Sequence, residues 1–214
     1  MKKLFACLLL GTLSQSVWAL DAADQQRLSS IQQSWAHIQY ETPEKQRADA
    51  FEQLASQATN FTTERPAVAE AWIWKGIVTS SWAGAEGGLG ALGKAKDAKA
   101  DLEKSLTLDP KALQGSAYTS LAALYDRVPG WPIGFGDSDK AEQLLKQALQ
   151  LNPDGIDSLY FWGDHLYRQK HYAQAKAALQ KALQAAPRPG RESADAGRRK
   201  EIAALLVEVD KKLD

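Results

Sequence analysis

Gly88-Leu-Gly-Ala-Leu-Gly93-Lys94 is spaced like a loop that cradles phosphate. That chemistry needs glycine amides around the phosphate, a lysine upon it and a hydroxyl that holds magnesium. Ala95 stands where the hydroxyl belongs and no strand leads into the stretch, so it reads as a turn between helices. His37, His165 and His171 form no metal-binding spacing. Asp164 and His165 are neighbours on a helix and point in different directions. Acid pairs occur only as ordinary helix-surface charges, and no Ser-His-Asp set emerges from spacing. The expectation is a protein without catalytic residues, metal or cofactor, because an enzyme needs residues in named roles.

Binding chemistry is better represented. Pro129-Gly-Trp-Pro-Ile-Gly-Phe-Gly-Asp137 is no ordinary polar loop. Trp131, Ile133 and Phe135 each gain about 1.5–3 kcal/mol from burial. Two prolines restrict the backbone and three glycines let it turn sharply. The segment is either packed on its own helices or an ordered lip of a ligand or partner pocket, because binding residues gather on ordered loops. Asp137 closes it, and Trp82, in a second glycine-rich stretch, could face the same pocket.

The elements that position these residues are helices. Leu28, Ile31, Trp35 and Ile38 share one face of a helix over 22–39. Thr42-Pro43-Glu44 opens a second, with Thr42 as cap and Pro43 in the first turn. Asn60 to Arg65 reads as a polar connection, and Pro66 as the start of the next helix. Three later helices then carry the same marks at gaps of 4, 3 and 5 residues. These are Ala98, Leu102, Ser105, Pro110; Ala141, Leu145, Ala148, Pro153; and Ala175, Leu179, Ala182, Pro187. Small residues at that spacing let a helix lie close to its neighbour, and the proline stops it. This is the second half of a two-helix repeat, and stacked repeats make a solenoid.

Residues 68–187 resemble tetratricopeptide repeats. The run Leu159, Trp162, Gly163, Leu166, Tyr172, Ala175, Leu179, Ala182, Pro187 fits the pattern without insertion. Tyr118, Leu121, Ala122 and Tyr125 match in the middle unit, Trp72 and Gly76 in the first. Gly76 to Ala98 spans 22 residues where Gly163 to Ala175 spans 12, so the two earlier units carry insertions at Trp82–Gly93 and Val128–Asp137. Equivalent insertions project from one edge of a solenoid. By this resemblance Tyr160, Asp164, Tyr167 and Arg168 line a concave groove, with Thr119, Asp126 and Arg127 one unit earlier. They would receive an extended peptide or an anion, since an arginine fork suits a carboxylate, or else form a solvated face of ion pairs.

The expected fold is all-α, a solenoid of about nine helices with extended inter-helix loops. Residues 1–19 are a signal peptide, 20–65 a helical pair serving as degenerate repeat or cap, 66–190 three repeat units, and 191–214 a terminal helix over the open end. That helix presents Ile202, Leu205, Leu206 and Val209.

Met1-Lys2-Lys3, the apolar run Leu4–Leu10 and Val17-Trp18-Ala19 make the leader, cut after Ala19. The apolar run is too short to span a bilayer. Cys7 lies inside that run, not after it, which argues against lipid attachment. Losing the leader removes the only Cys and Met and, with Lys2 and Lys3, shifts a balance of 26 basic and 26 acidic residues to −2. Thiol chemistry is thereby excluded, and no basic excess points to nucleic acid. No other run is long enough to cross a membrane.

From Gly87 to Arg199 the chain resembles a narrower group, exported repeat proteins related to the T component of tetratricopeptide-associated TRAP transporters. The Gly-Gly-Leu-Gly-Ala-Leu turn, Val128–Asp137, Asn152-Pro-Asp-Gly-Ile-Asp157 and Pro187-Arg-Pro-Gly-Arg191 carry that likeness. It implies a periplasmic helical protein with a cavity, cooperating with a solute-binding protein that feeds a permease. Two functions follow. One is an adaptor that binds a protein on the concave face. The other is a carrier of a small apolar acid or lipid-like molecule in a cavity edged by Trp82, Trp131 and Phe135.

Overall fold

The structure, a computed structural model, describes residues 20–214; the leader expected at 1–19 lies outside them. Nine α-helices run through these residues: α1 (Ala22–Tyr40), α2 (Glu44–Glu64), α3 (Ala69–Glu86), α4 (Gly88–Leu108), α5 (Ser116–Arg127), α6 (Ser138–Leu151), α7 (Ile156–Arg168), α8 (Tyr172–Leu183) and α9 (Glu192–Leu213). A short 3-10 turn, Ala112–Gly115, precedes α5. The fold is an all-α solenoid, and no described helix is long and apolar enough to cross a membrane.

Repeat packing follows from the small residues. All nine marker side chains, from Ala98 to Ala182, are fully buried. Within α3–α4, Gly76 faces Leu102 so closely that an added Cβ would lie 2.6 Å from Leu102 Cγ. In α7–α8, Gly163 meets Leu179 in the same way, at 2.7 Å. Ala122 and Leu145 occupy the matching places in α5–α6 and are likewise buried. The leucine on each second helix thus fills the notch left by a small residue on the first.

Three local expectations are corrected. Thr42 does not cap α2: its hydroxyl donates to the His37 carbonyl at the end of α1, and Pro43 stands at the cap of α2. Asn60 to Arg65 is not a connection, because α2 runs on to Glu64. Phe61 continues the apolar stripe of Leu54 and Ala58, while the hydroxyls of Thr62 and Thr63 are satisfied by the Thr59 carbonyl. Nor does Pro66 begin α3; its carbonyl accepts from the Trp72 indole at 2.9 Å, and the helix starts at Ala69.

The Trp82–Gly93 insertion is helical. It lengthens α3 and α4, and the reversal between them needs only Gly87 and Gly88, both at positive φ. Gly90 and Gly93 sit inside α4, so no phosphate-cradling loop forms, and Lys94 pairs with Glu86 at 2.5 Å. Val128–Asp137 is a true loop. It is closed by a bridge between Gly130 and Gly136, a cis Trp131–Pro132 bond and a hydrogen bond from the Asp137 amide to the Tyr125 carbonyl.

The largest departure is at the C-terminus. Helix α9 packs on α8 and α7 as an end cap would, and it also reaches α1. There Gly197 lies against the Tyr40 ring, where an added Cβ would come within 2.3 Å. First and last helices touch, and the solenoid closes into a ring.

Candidate functional site

Closing the ring encloses a cavity of about 940 Å³. Trp35 and Tyr40 of α1, Arg47 and Phe51 of α2 and Trp74 and Ile77 of α3 line one side. Asp157, Tyr160 and Phe161 of α7, with Arg188, Arg191, Arg198 and Glu201 of the C-terminal segment, line the other. Leu113 and Gln114 also reach it from the 3-10 turn, both with left-handed backbone (φ 46° and 55°), a conformation that costs a side-chain-bearing residue about 1 kcal/mol or more. At the rim are Leu92 from the lengthened α4 and Pro129 and Ile133 from the loop. A Cβ on Gly134 would come within 3.3 Å of Leu92, so the two insertions do share an edge.

The C-terminal wall is a network of charge. Asp157 accepts from Arg198 Nε at 2.8 Å and from Arg188 Nη1 at 2.7 Å. Burial alone would raise the Asp157 pKa, but the two guanidinium groups outweigh it and hold the carboxyl well below its usual range. Arg188 also donates from Nε to Asp195 at 2.7 Å, and Arg198 pairs with Glu201. The Arg198 guanidinium lies 4.3 Å from the Tyr160 ring centroid and 4.8 Å from that of Phe161. Burial, with Glu201 nearby, pushes Tyr40 well above its ordinary pKa, so its hydroxyl stays protonated and donates to Glu201 at 3.3 Å.

The residues singled out in the sequence fall in different places. Tyr160 is in the cavity wall beneath Arg198. Asp164 is buried behind it, receiving Arg127 at 2.7 Å and Arg168 at 3.3 Å. Arg168 and Tyr167 lie off the cavity, Tyr167 packed on Tyr172 with ring centroids 5.7 Å apart. Trp82 lies outside the lining, with Lys94 Nζ 4.2 Å from its ring centroid. Phe135 folds back edge-on to Tyr125 at 5.5 Å, and Asp137 caps α6 by accepting from the Lys140 amide at 3.0 Å. Trp131 is 90% exposed and Ile133 68%, so the loop partly buries one of its three large apolar side chains, Phe135, and presents the other two. Asp126 and His165 pair in the interior at 3.0 Å under the stacked ring of Trp162. Among the described residues no His, Asp or Glu cluster suits a metal.

Sequence reasoning missed Arg188, Arg191 and Arg198. Their signal was there, in Pro187-Arg-Pro-Gly-Arg191 and the arginine pair at 198–199, but it read as a turn and a helix surface.

A family model described as tetratricopeptide repeat matches residues 133–207, and a second so described matches 89–112. No curated protein matches the chain. Among solved structures, TTC0263, a thermophilic TPR protein of Thermus thermophilus, aligns with a TM-score of 0.57 at 17% identity, over 86% of this chain and 98% of that one. The MamA protein aligns with a TM-score of 0.45 at 17% identity, over 87% and 92%. Residues 89–112 and 133–207 thus match tetratricopeptide repeats, and the helical solenoid is similar in fold to a solved tetratricopeptide-repeat protein.

Proposed function

We propose that this protein is a non-catalytic docking module that works in the periplasm, binding a protein partner through the lip at the mouth of its cavity. The observation that carries this reading is the pair Trp131 and Ile133, exposed on a loop that is itself braced by the Tyr125–Phe135 contact. Large apolar side chains held out in a fixed shape mark interaction sites, and tryptophan is enriched among the residues that dominate binding energy. Tetratricopeptide arrays offer extended surfaces to proteins, which supports the class of partner. The leader-like residues 1–19 support export. The likeness of the Gly87–Arg199 stretch to TRAP-associated T components makes a solute-binding protein that serves a transporter the preferred partner.

A photo-crosslinking residue at position 131, introduced in growing cells, tests this. The expected product is one dominant adduct, recovered from the periplasm and identified by mass spectrometry as a solute receptor. The unmodified partner should lose affinity by about tenfold or more when Trp131→Ala is combined with Ile133→Ala. Absence of an adduct at 131 alongside normal export, or undiminished affinity in the double variant, would refute the docking reading. A cytoplasmic location would refute the periplasmic one.

A further inference from the structure

Arg191 is the one arginine of the C-terminal wall with no acidic partner among the described residues. Its neighbours are fully occupied. Both oxygens of Asp157 are taken, one by Arg198 and one by Arg188. Asp195 is taken by the Arg188 side chain and amide, and Glu201 by Arg198 and Tyr40. Among the described residues no side-chain hydrogen bond or ion pair engages the Arg191 guanidinium, and its buried Nε has no acceptor there. Arg191 instead lies over the Trp74 ring, 4.9 Å from the centroid. Trp74 is itself 4% exposed, and its indole N–H is likewise buried without an acceptor. Both residues line the cavity.

Two donors left unsatisfied on two stacked residues, in a wall where every other arginine is matched, are costly, because each has given up water for nothing. A ligand that supplies the acceptor removes that cost. We infer that Arg191 and Trp74 form the seat for a carboxylate group of a small ligand held in the cavity. The donors fix the chemistry. A guanidinium and an indole N–H can only donate, so the ligand group must only accept, and a carboxylate does so with two oxygens at the spacing of a guanidinium fork. Burial and the adjacent Arg188 disfavour the Arg191 cation, against the weaker opposing pull of Asp157 and Asp195, and an incoming anion offsets the repulsion from Arg188.

The ligand body meets apolar side chains near the seat. Trp35 packs edge-on to Trp74 with ring centroids 5.9 Å apart, its indole N–H already given to Ser81 at 2.8 Å, and Phe51 and Ile77 line the same cavity. A cavity of about 940 Å³ takes a molecule of substantial size. A monocarboxylate with an aliphatic or aromatic body fits these walls. The seat is formed by α3 and the C-terminal segment, whereas Ile133 of the lip lines the rim of the same cavity and Trp131 lies outside the lining.

Isothermal titration of the purified protein separates the possibilities. The probes are octanoate and 4-phenylbutyrate as carboxylates, with octan-1-ol and octylamine as controls of equal apolar body. Octanoate or 4-phenylbutyrate should bind, and octan-1-ol and octylamine should bind at least about tenfold more weakly. Arg191→Gln should reduce carboxylate affinity by about tenfold or more, and Arg191→Lys should recover part of it. Trp74→Phe, which keeps a ring and removes the N–H, should reduce it several-fold. Circular dichroism verifies that each variant is folded. If neither carboxylate binds, or if Arg191→Gln binds octanoate as the wild type does, the seat is refuted. Equal binding of the alcohol would reduce the cavity to an apolar pocket and also refute it. Crosslinking at 131 is read separately, so the failure of one site is distinguishable from failure of the other.

Discussion

At the scale of single residues, Asp157 shows how the wall is held. Its carboxylate is gripped by Arg188 and Arg198, and its pKa lies below the value of an unfolded aspartate because those cations favour the charged form over the opposing effect of burial. A carboxyl with a depressed folded-state pKa stabilises the fold at pH values above the unfolded pKa of about 4, and that stability is lost as pH falls through the folded value. Asp157→Asn should therefore cost about 2 kcal/mol at pH 7, less than a fully buried pair because a third of the Asp157 side chain is open to solvent. Urea denaturation at pH 7 and pH 3 checks it: the gap between variant and wild type should narrow at acid pH, and a gap that widens would contradict the assignment. Residue chemistry of this kind was poorly legible in the sequence. Tyr160 and Asp164 were found because repeat register places them. Arg188 and Arg198 depend on a contact between α7 and the chain's last helix, which no local pattern encodes.

Among the elements, the helical hairpins depend on notches. Gly76 and Gly163 have no room for a side chain against Leu102 and Leu179. Gly93, inside α4, has open space around it. Alanine is favoured over glycine in a helix by about 1 kcal/mol. Gly93→Ala should thus stabilise the protein by about 0.5–1 kcal/mol. Gly163→Ala should destabilise it by about 1 kcal/mol or more, because overpacking outweighs helix propensity. Thermal melts of the two variants should move in opposite directions. These hairpins were the most readable part of the sequence, since alanine, leucine and proline recur at fixed gaps and those gaps are the packing. The Trp82–Gly93 stretch misled because its five glycines from Gly84 to Gly93 look like a loop, although only Gly87 and Gly88 use left-handed backbone. Leucine and alanine between them are enough to carry the helices through.

For the molecule as a whole, the joint between α1 and α9 turns a row of repeats into a ring. An open array frays from its ends, each unit leaning only on its neighbours. Here the ends lean on each other. Gly197→Val would push a side chain into the Tyr40 ring and part them. Hydrogen exchange should then quicken by about tenfold or more in both α1 and α9, distant in sequence, while the α3–α4 hairpin stays protected. Faster exchange in α9 alone would mean that the joint does not carry stability. The repeat pattern predicted a stack and could not predict closure, because Gly197 and Tyr40 are each ordinary on their own helices. Closure also sets an order of events. The stretch from Arg188 to Glu201 is the last part of the wall to leave the ribosome, and a chain halted at Pro187 would keep every repeat and lack the seat for a guest. Being built of repeats and being able to hold a small molecule are therefore separable properties, and a single proteolytic cut ahead of α9 would abolish the second while sparing the first.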